Sequence, residues 1–119
     1  MVIITKEFSF DSAHKLPWHK GKCFNLHGHT YKLSVTIGAA LNENGIVMDF
    51  GDLKEIVNRK VVDKLDHHYL NDIFDNPTAE LMTEWIAFQI SEDLPDGIIL
   101  KKVSLWETPT SYATWEPTI

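Results

Sequence analysis

The stretch that decides the fold is CFNLHGHTY, which occupies residues 23–31. From His27 onward, odd positions hold two histidines and then apolar residues, whereas even positions hold glycine or polar residues as far as Thr36. A period of two is typical of a β-strand with one apolar and one polar face. The imidazoles of His27 and His29 begin the apolar face one pleat apart, so both can point at one metal ion. Cys23, four residues before His27, adds a thiol to the same stretch.

A third histidine lies at the end of another alternating run. This run predicts a first strand from about Val2 to Phe10, followed by Asp-Ser-Ala and His14. Antiparallel pairing of the two strands would place His14 beside His27 and His29. Three imidazoles with an open fourth position are the ligand set of a catalytic zinc. A His-x-His pair on a strand also occurs without any metal, so the pattern by itself leaves both interpretations open.

Length and composition exclude several classes of protein. The chain has 119 residues, 44% of them apolar and 24% charged, which predicts a single globular domain over residues 1–119. A formal net charge of −6 argues against a nucleic-acid binder. No apolar run reaches transmembrane length, and the N-terminus lacks the apolar core of a signal peptide. A single cysteine excludes an intrachain disulfide and favours a reducing compartment, so we expect a cytoplasmic protein without a membrane partner.

The predicted loop over residues 12–25 is locally basic. Lys15, Lys20 and Lys22 are three of the eleven lysines and arginines of the chain. In an acidic protein this cluster is a candidate site for an anionic group of a substrate. The alternative is that the three lysines are solvated loop residues.

Two amphipathic helices are predicted in the middle of the chain. Asp49 is the expected N-cap of the first, and its apolar stripe is Leu53, Ile56, Val57, Val61 and Leu65. Asn76 is the expected N-cap of the second, with Pro77 at its first position. The second stripe comprises Leu81, Met82, Trp85, Ile86 and Ile90.

Three further side chains are candidates for chemistry. Asp66 and His67 follow the first helix, and an aspartate beside a histidine can orient the imidazole for acid–base catalysis. The side chains of adjacent residues can hydrogen-bond each other only in a loop or at a frayed helix end. The alternative is that Asp66 and His67 simply lie at the C-terminus of the helix. Glu107 continues the apolar face of a predicted strand, where a carboxylate needs a partner unless it turns out to solvent.

The order of elements predicts the fold class. The second strand is expected to run to about Leu41, before the Asn-Gly turn signal over residues 42–45. Two late strands are expected over residues 98–106 and 112–116. The chain therefore reads as an α+β domain, a four-stranded antiparallel sheet with two helices packed on one face.

Six motifs, taken together, resemble the family of the 6-pyruvoyltetrahydropterin and 6-carboxytetrahydropterin synthases. They are Phe-Asp-Ser-Ala-His at 10–14, Cys-x-x-x-His-Gly-His at 23–29, Met-Asp-Phe-Gly-Asp-Leu-Lys at 48–54, Leu-Asp-His at 65–67, Pro-Thr-Ala-Glu at 77–80 and Glu-Thr-Pro at 107–109. Each is weak alone, but the ordered set spans nearly the whole chain.

The resemblance implies an assembly and a cofactor. In the tunnelling fold of this family, subunits join their sheets into a barrel with the helices outside, as a homohexamer built from two trimers. The active sites lie between subunits. The resemblance implies Zn²⁺ on His14, His27 and His29.

It also implies roles for individual residues. Cys23 matches the family's catalytic base, and Asp66 with His67 matches an acid–base pair supplied by a neighbouring subunit. Glu107, followed by Thr108, matches the carboxylate that anchors the pterin ring. His19 and His68 match no ligand position.

Within the family, three residues between Cys23 and His27 resemble the 6-carboxytetrahydropterin synthases of queuosine and 7-deazapurine synthesis. The implied reaction converts 7,8-dihydroneopterin triphosphate to 6-carboxy-5,6,7,8-tetrahydropterin, acetaldehyde and triphosphate. A 6-pyruvoyltetrahydropterin synthase is the alternative within the family. A zinc-stabilised binding module without turnover is the alternative from another class, and Cys23 as a fourth zinc ligand would favour it.

Overall fold

A four-stranded antiparallel sheet is the frame of the molecule, as the sequence predicted. The computed structural model describes residues 1–118. The strands, in the spatial order β1-β2-β3-β4, are β1 (Val2–His14), β2 (His27–Ala39), β3 (Ile99–Thr108) and β4 (Ser111–Trp115). Each strand pairs antiparallel with the next.

The helices lie in the long connection between β2 and β3. The first helical segment runs without a break through α1 (Phe50–Val57), a π-helical turn (Asn58–Val62) and α2 (Asp63–Leu65). The second is α3 (Ala79–Ser91). Two short 3₁₀ turns, Lys22–Phe24 and Leu70–Asp72, complete the described secondary structure.

The hydrophobic core lies between the sheet and the helices. The odd-numbered side chains of β2 from Tyr31 to Ile37 are all 0% exposed, as their period of two predicts. They cluster with Leu53, Val57, Val61 and Leu65 of the first helical segment and with Met82, Ile86 and Ile90 of α3. Leu81 is 46% exposed, so its assignment to the buried stripe of α3 was wrong.

Three predicted boundaries are corrected by the structure. β1 continues to His14 instead of ending at Phe10, because its last residues pair with β2 as far as His14 opposite His27. The N-cap of α3 is Thr78, whose hydroxyl accepts a hydrogen bond from the Leu81 amide, so helix begins two residues later than Pro77. β3 reaches Thr108, which places Glu107 within the strand.

The register of β1 against β2 brings the predicted ligands together. Ser12 lies opposite His29, and His14 opposite His27. Asp49 caps α1 as predicted, with its carboxylate accepting from the Gly51 amide at 2.7 Å. Among the residues that the structure describes, no helix is long and apolar enough to cross a membrane.

Candidate metal and acid–base site

Three imidazoles converge at the end of the β1–β2 pair. One ring nitrogen from each of His14, His27 and His29 lies within 4.8 Å of the other two. The Nε2 atoms of His14 and His27 are 3.0 Å apart. The predicted grouping of the three histidines is therefore present in the folded chain.

Two backbone carbonyls fix which nitrogens face the centre of this cluster. His14 Nδ1 donates to the Pro77 carbonyl at 2.9 Å, and His27 Nδ1 donates to the Asn25 carbonyl at 2.7 Å. A carbonyl oxygen only accepts hydrogen bonds, so each Nδ1 carries the proton. In a neutral imidazole, Nε2 then presents a lone pair. Two lone pairs that face each other at 3.0 Å repel unless a cation lies between them.

His29 completes the set. Its Nε2 is the only buried side-chain nitrogen or oxygen in the described part of the chain that lacks a hydrogen-bond partner. Burial lowers the pKa of both His14 and His29, which favours the neutral, ligand-competent form. Three convergent imidazoles, two of them with a carbonyl-bound Nδ1 atom, suit a divalent metal such as Zn²⁺.

Glu107 approaches the same cluster from β3. Its Oε1 atom lies 3.3 Å from His14 Nε2 and 3.8 Å from His29 Nε2. The carboxylate is 28% exposed, so it turns toward the histidines and not simply out to solvent. It adds a negative charge at the rim of the candidate metal site.

Asp66 and His67 form a bonded pair at the end of α2. Asp66 has extended backbone, and His67 has a φ of 57°, in the left-handed region that is uncommon for residues other than glycine. This turn lets Asp66 Oδ1 accept from His67 Nδ1 at 3.0 Å, which is the loop geometry that the sequence required. Asp66 also accepts from the Asp11 amide at 2.9 Å, and these two donors lower the pKa of its carboxyl group.

Two open clefts of about 540 Å³ each meet at residues Gly28 to Thr30. The first cleft contains His67 and His29. Its full lining is Asp11, Ser12, Ala13, Gly28, His29, Thr30, His67, His68 and Tyr69. The second contains Glu107 and Thr108, and is lined by Gly28, His29, Thr30, Lys32, Trp106, Glu107, Thr108 and Pro109.

Other predicted site residues lie outside these two clefts. Cys23 is half-buried in the Lys22–Phe24 turn. Lys15, Lys20 and Lys22 are exposed on the connection between β1 and β2. In the chain as described, none of the four lines either cleft.

Sequence reasoning missed the cation that does line the second cleft. Lys32 lies 3.0 Å from Glu7 and 4.8 Å from the centre of the Trp106 ring. The period of two predicted that Lys32 lies on the polar face of β2. It did not predict the neighbours of Lys32, because these depend on the pairing of β2 with β1 and β3.

Comparison with known proteins gives these residues a context. The chain matches the family model described as 6-pyruvoyl tetrahydropterin synthase over residues 3–118. A Haemophilus influenzae protein named 6-carboxy-5,6,7,8-tetrahydropterin synthase is 38% identical, over 98% of this chain and 99% of that protein. A Pyrococcus furiosus protein named dihydroneopterin monophosphate aldolase is 44% identical, over 83% of each chain.

The fold has a match among solved structures. The structure of Caenorhabditis elegans 6-pyruvoyl tetrahydropterin synthase superimposes with a TM-score of 0.86 at 26% sequence identity, covering 98% of this chain and 96% of that one. With nearly its whole length matched, this chain belongs to the 6-pyruvoyl tetrahydropterin synthase family.

Proposed function

We propose that this protein is a zinc-dependent carbon–carbon lyase that acts on a pterin. The reaction converts 7,8-dihydroneopterin triphosphate and one water to 6-carboxy-5,6,7,8-tetrahydropterin, acetaldehyde and triphosphate. The observation that carries the proposal is the cluster of His14, His27 and His29, together with the cleft that His29 shares with His67 of the Asp66–His67 pair. Membership of the family, and the name of the Haemophilus influenzae relative, support this choice of substrate and product.

His14, His27 and His29 would hold the Zn²⁺ ion. A zinc ion bound there supplies Lewis-acid chemistry, which polarises substrate oxygens and acidifies neighbouring C–H and O–H groups. The carbonyls of Pro77 and Asn25 keep two of the imidazoles in the tautomer that binding requires.

The acid–base work belongs to side chains of the protein. Asp66 holds the His67 Nδ1–H, so His67 Nε2 is free to accept a proton from the substrate and return it. The lowered pKa of Asp66 keeps its carboxylate charged, which stabilises the imidazolium that forms. Cys23 is the proposed second proton acceptor. Glu107 would accept N–H bonds from the pterin ring with Thr108 beside it, and Lys15, Lys20 and Lys22 stay the predicted contacts of the triphosphate.

The separation of Cys23 from the two clefts supports a site shared between subunits. We propose the homohexamer of the family, in which a neighbouring chain supplies Asp66 and His67 to the Cys23 of this one. An apolar groove of about 230 Å³, which includes Val2, Leu41, Ile46 and Phe50, offers surface for such contacts. The lone cysteine supports a reducing, cytoplasmic setting, and 7-deazapurine synthesis, as for queuosine, is the proposed use of the product.

A second candidate follows from the Pyrococcus furiosus relative, which is named an aldolase for dihydroneopterin monophosphate. A retro-aldol cleavage needs the same parts, an acid–base pair and a group that polarises oxygen. The two candidates differ in the phosphorylation of the substrate and in the aldehyde released.

The metal assignment predicts the effect of removing two ligands. The double variant His27→Ala, His29→Ala should hold almost no zinc after dialysis, while the unchanged protein should hold about one zinc per chain, since one histidine does not retain the ion. Elemental analysis measures this directly. His19→Ala is the matched control because the His19 imidazole accepts a bond from the Gly21 amide and does not belong to the three-histidine cluster. Full zinc content in the double variant would contradict the assignment.

Removal of the thiol should separate catalysis from metal binding. Cys23→Ala should keep its zinc but lose activity by about 100-fold or more, the usual effect of removing a general base. Zinc content and turnover are measured on the same preparation. Loss of zinc in parallel with activity would instead make Cys23 a metal ligand and favour the non-catalytic module.

The shared site predicts complementation between two inactive variants. Random mixing of Cys23→Ala with His67→Ala subunits should recover about a quarter of the original activity, because that share of sites receives both intact groups. Subunit exchange is verified first by mass spectrometry of differently tagged chains. Exchange without any recovery would place both groups in one chain.

The products decide among the candidate reactions. Incubation of the zinc-loaded protein with 7,8-dihydroneopterin triphosphate should yield 6-carboxy-5,6,7,8-tetrahydropterin by mass spectrometry and acetaldehyde in an aldehyde trap. A pyruvoyl pterin without aldehyde would identify a 6-pyruvoyltetrahydropterin synthase. Cleavage of only the monophosphate substrate would identify the aldolase. The His27→Ala, His29→Ala variant is the control and should leave the triphosphate intact. An intact triphosphate with the zinc-loaded protein would contradict the lyase proposal.

A further inference from the structure

The outer edge of β1 carries a second row of hydrogen bonds, on the side away from β2. The Asp11 carbonyl accepts from the His67 amide at 2.6 Å, and the Ala13 amide donates to the His68 carbonyl at 3.2 Å. Ala13 and Tyr69 form a parallel bridge. The segment that follows α2 therefore runs alongside β1 as a short parallel strand.

Asn71 extends this row by one position with its side chain. Its Oδ1 accepts from the Lys15 amide at 2.9 Å, and its Nδ2 donates to the Lys15 carbonyl at 3.0 Å. A primary amide presents the same donor and acceptor as a peptide unit. Asn71 therefore takes the place of one backbone partner and binds both the amide and the carbonyl of Lys15, just after β1 ends.

The residue after Lys15 is bonded to Cys23. The Leu16 amide donates to the Cys23 carbonyl at 2.7 Å, which closes the connection between β1 and β2 into a loop. Farther along this loop, Trp18 Nε1 donates to Asn76 Oδ1 at 2.8 Å. The loop that carries Cys23 thus rests on the segment that also carries Asp66 and His67.

We propose that Asn71 is a positioning residue for Cys23. Its paired hydrogen bonds fix the backbone of Lys15, the Leu16 amide then fixes the Cys23 carbonyl, and the thiol is thereby held at one place. The proposal rests on the proposed function in one respect, the use of Cys23 as a proton acceptor. The Asn71 contact lies outside both clefts, so its effect passes through the loop and not through contact with substrate.

A pair of matched substitutions tests this role. Asn71→Leu has nearly the same shape but lacks both hydrogen bonds. Asn42→Leu is the control, because the Asn42 side chain also makes two bonds to the backbone. Its Oδ1 accepts from the Asn44 amide at 2.8 Å and from the Ile46 amide at 3.3 Å, in the turn beyond the opposite end of β2. The two variants should lose a similar free energy of unfolding in urea. An effect of lost stability alone would therefore appear equally in both variants.

Two measurements made without substrate report on the conformation of the loop. Hydrogen exchange of the Leu16 amide should be about tenfold faster in Asn71→Leu, since loss of the bonds lets the loop open locally. Cys23 is the single cysteine of the chain, so iodoacetamide reports on it alone. Its alkylation should be severalfold faster in Asn71→Leu and unchanged in Asn42→Leu. Equal rates in all three proteins would overturn the proposal.

Steady-state kinetics test the catalytic consequence. Asn71→Leu should lower kcat about tenfold because the base is displaced, and it should also raise KM because the same loop carries Lys15, Lys20 and Lys22, the proposed contacts of the triphosphate. Asn71→Asp, which keeps the acceptor for the Lys15 amide but not the donor, should fall between Asn71→Leu and the unchanged protein. Faster alkylation with a normal kcat would overturn the positioning role.

Failure of the positioning role and failure of the proposed reaction give different experimental results. If the unchanged protein turns over no pterin but the alkylation and exchange rates differ as expected, the proposed function fails and the placement of the loop by Asn71 stands. If turnover is normal and the Asn71 variants behave like Asn42→Leu in every measurement, the inference fails and the proposed function stands.

Discussion

The antiparallel register of β1 against β2 is the constraint on which the candidate site depends. It sets His14 opposite His27 and Ser12 opposite His29, so histidines from two strands reach one point. A slip of one residue would turn one strand's side chains to the other face of the sheet and separate the set. The buried apolar row that continues along β2 makes such a slip costly, because it would expose side chains from Tyr31 to Ile37.

Hydrogen bonds from outside the sheet orient these histidines as a candidate set of metal ligands. The carbonyls of Pro77 and Asn25 hold the Nδ1 protons of His14 and His27, and they leave both Nε2 lone pairs facing inward. Pro77 precedes α3, so the packing of that helix against the sheet helps to determine the tautomer of a residue in β1. Burial adds to this effect by lowering the pKa of His14 and His29. Core packing and metal competence therefore come from the same contacts.

β1 organises the remaining groups through its second edge. While one edge pairs with β2, the other receives Asp66 to Asn71 and so positions the Asp66–His67 pair. The loop that leaves β1 at Lys15 carries Cys23 and is held by the same segment. One strand thus links the three histidines, the Asp66–His67 pair and Cys23, although these groups lie far apart along the chain.

The sequence by itself determined what depends on local period and residue chemistry. Alternation predicted the strands and their buried faces, spacing of three and four predicted the stripe from Leu53 to Leu65, and the His-x-His pair with His14 predicted the histidine cluster. The ordered motifs also predicted the family, which the match over residues 3–118 confirmed. Only the tertiary structure decided three contacts. The Pro77 carbonyl accepts from His14, Glu107 turns toward the histidines, and the Asn71 side chain hydrogen-bonds the backbone of Lys15. The contacts of Pro77 and Asn71 join segments 55 or more residues apart, and the contact of Glu107 depends on strand register that is set by packing. No local sequence pattern predicts contacts between residues so far apart. The cap at Thr78 and the extension of β1 to His14 have the same origin, because neighbouring elements complete their hydrogen bonds only in the folded chain.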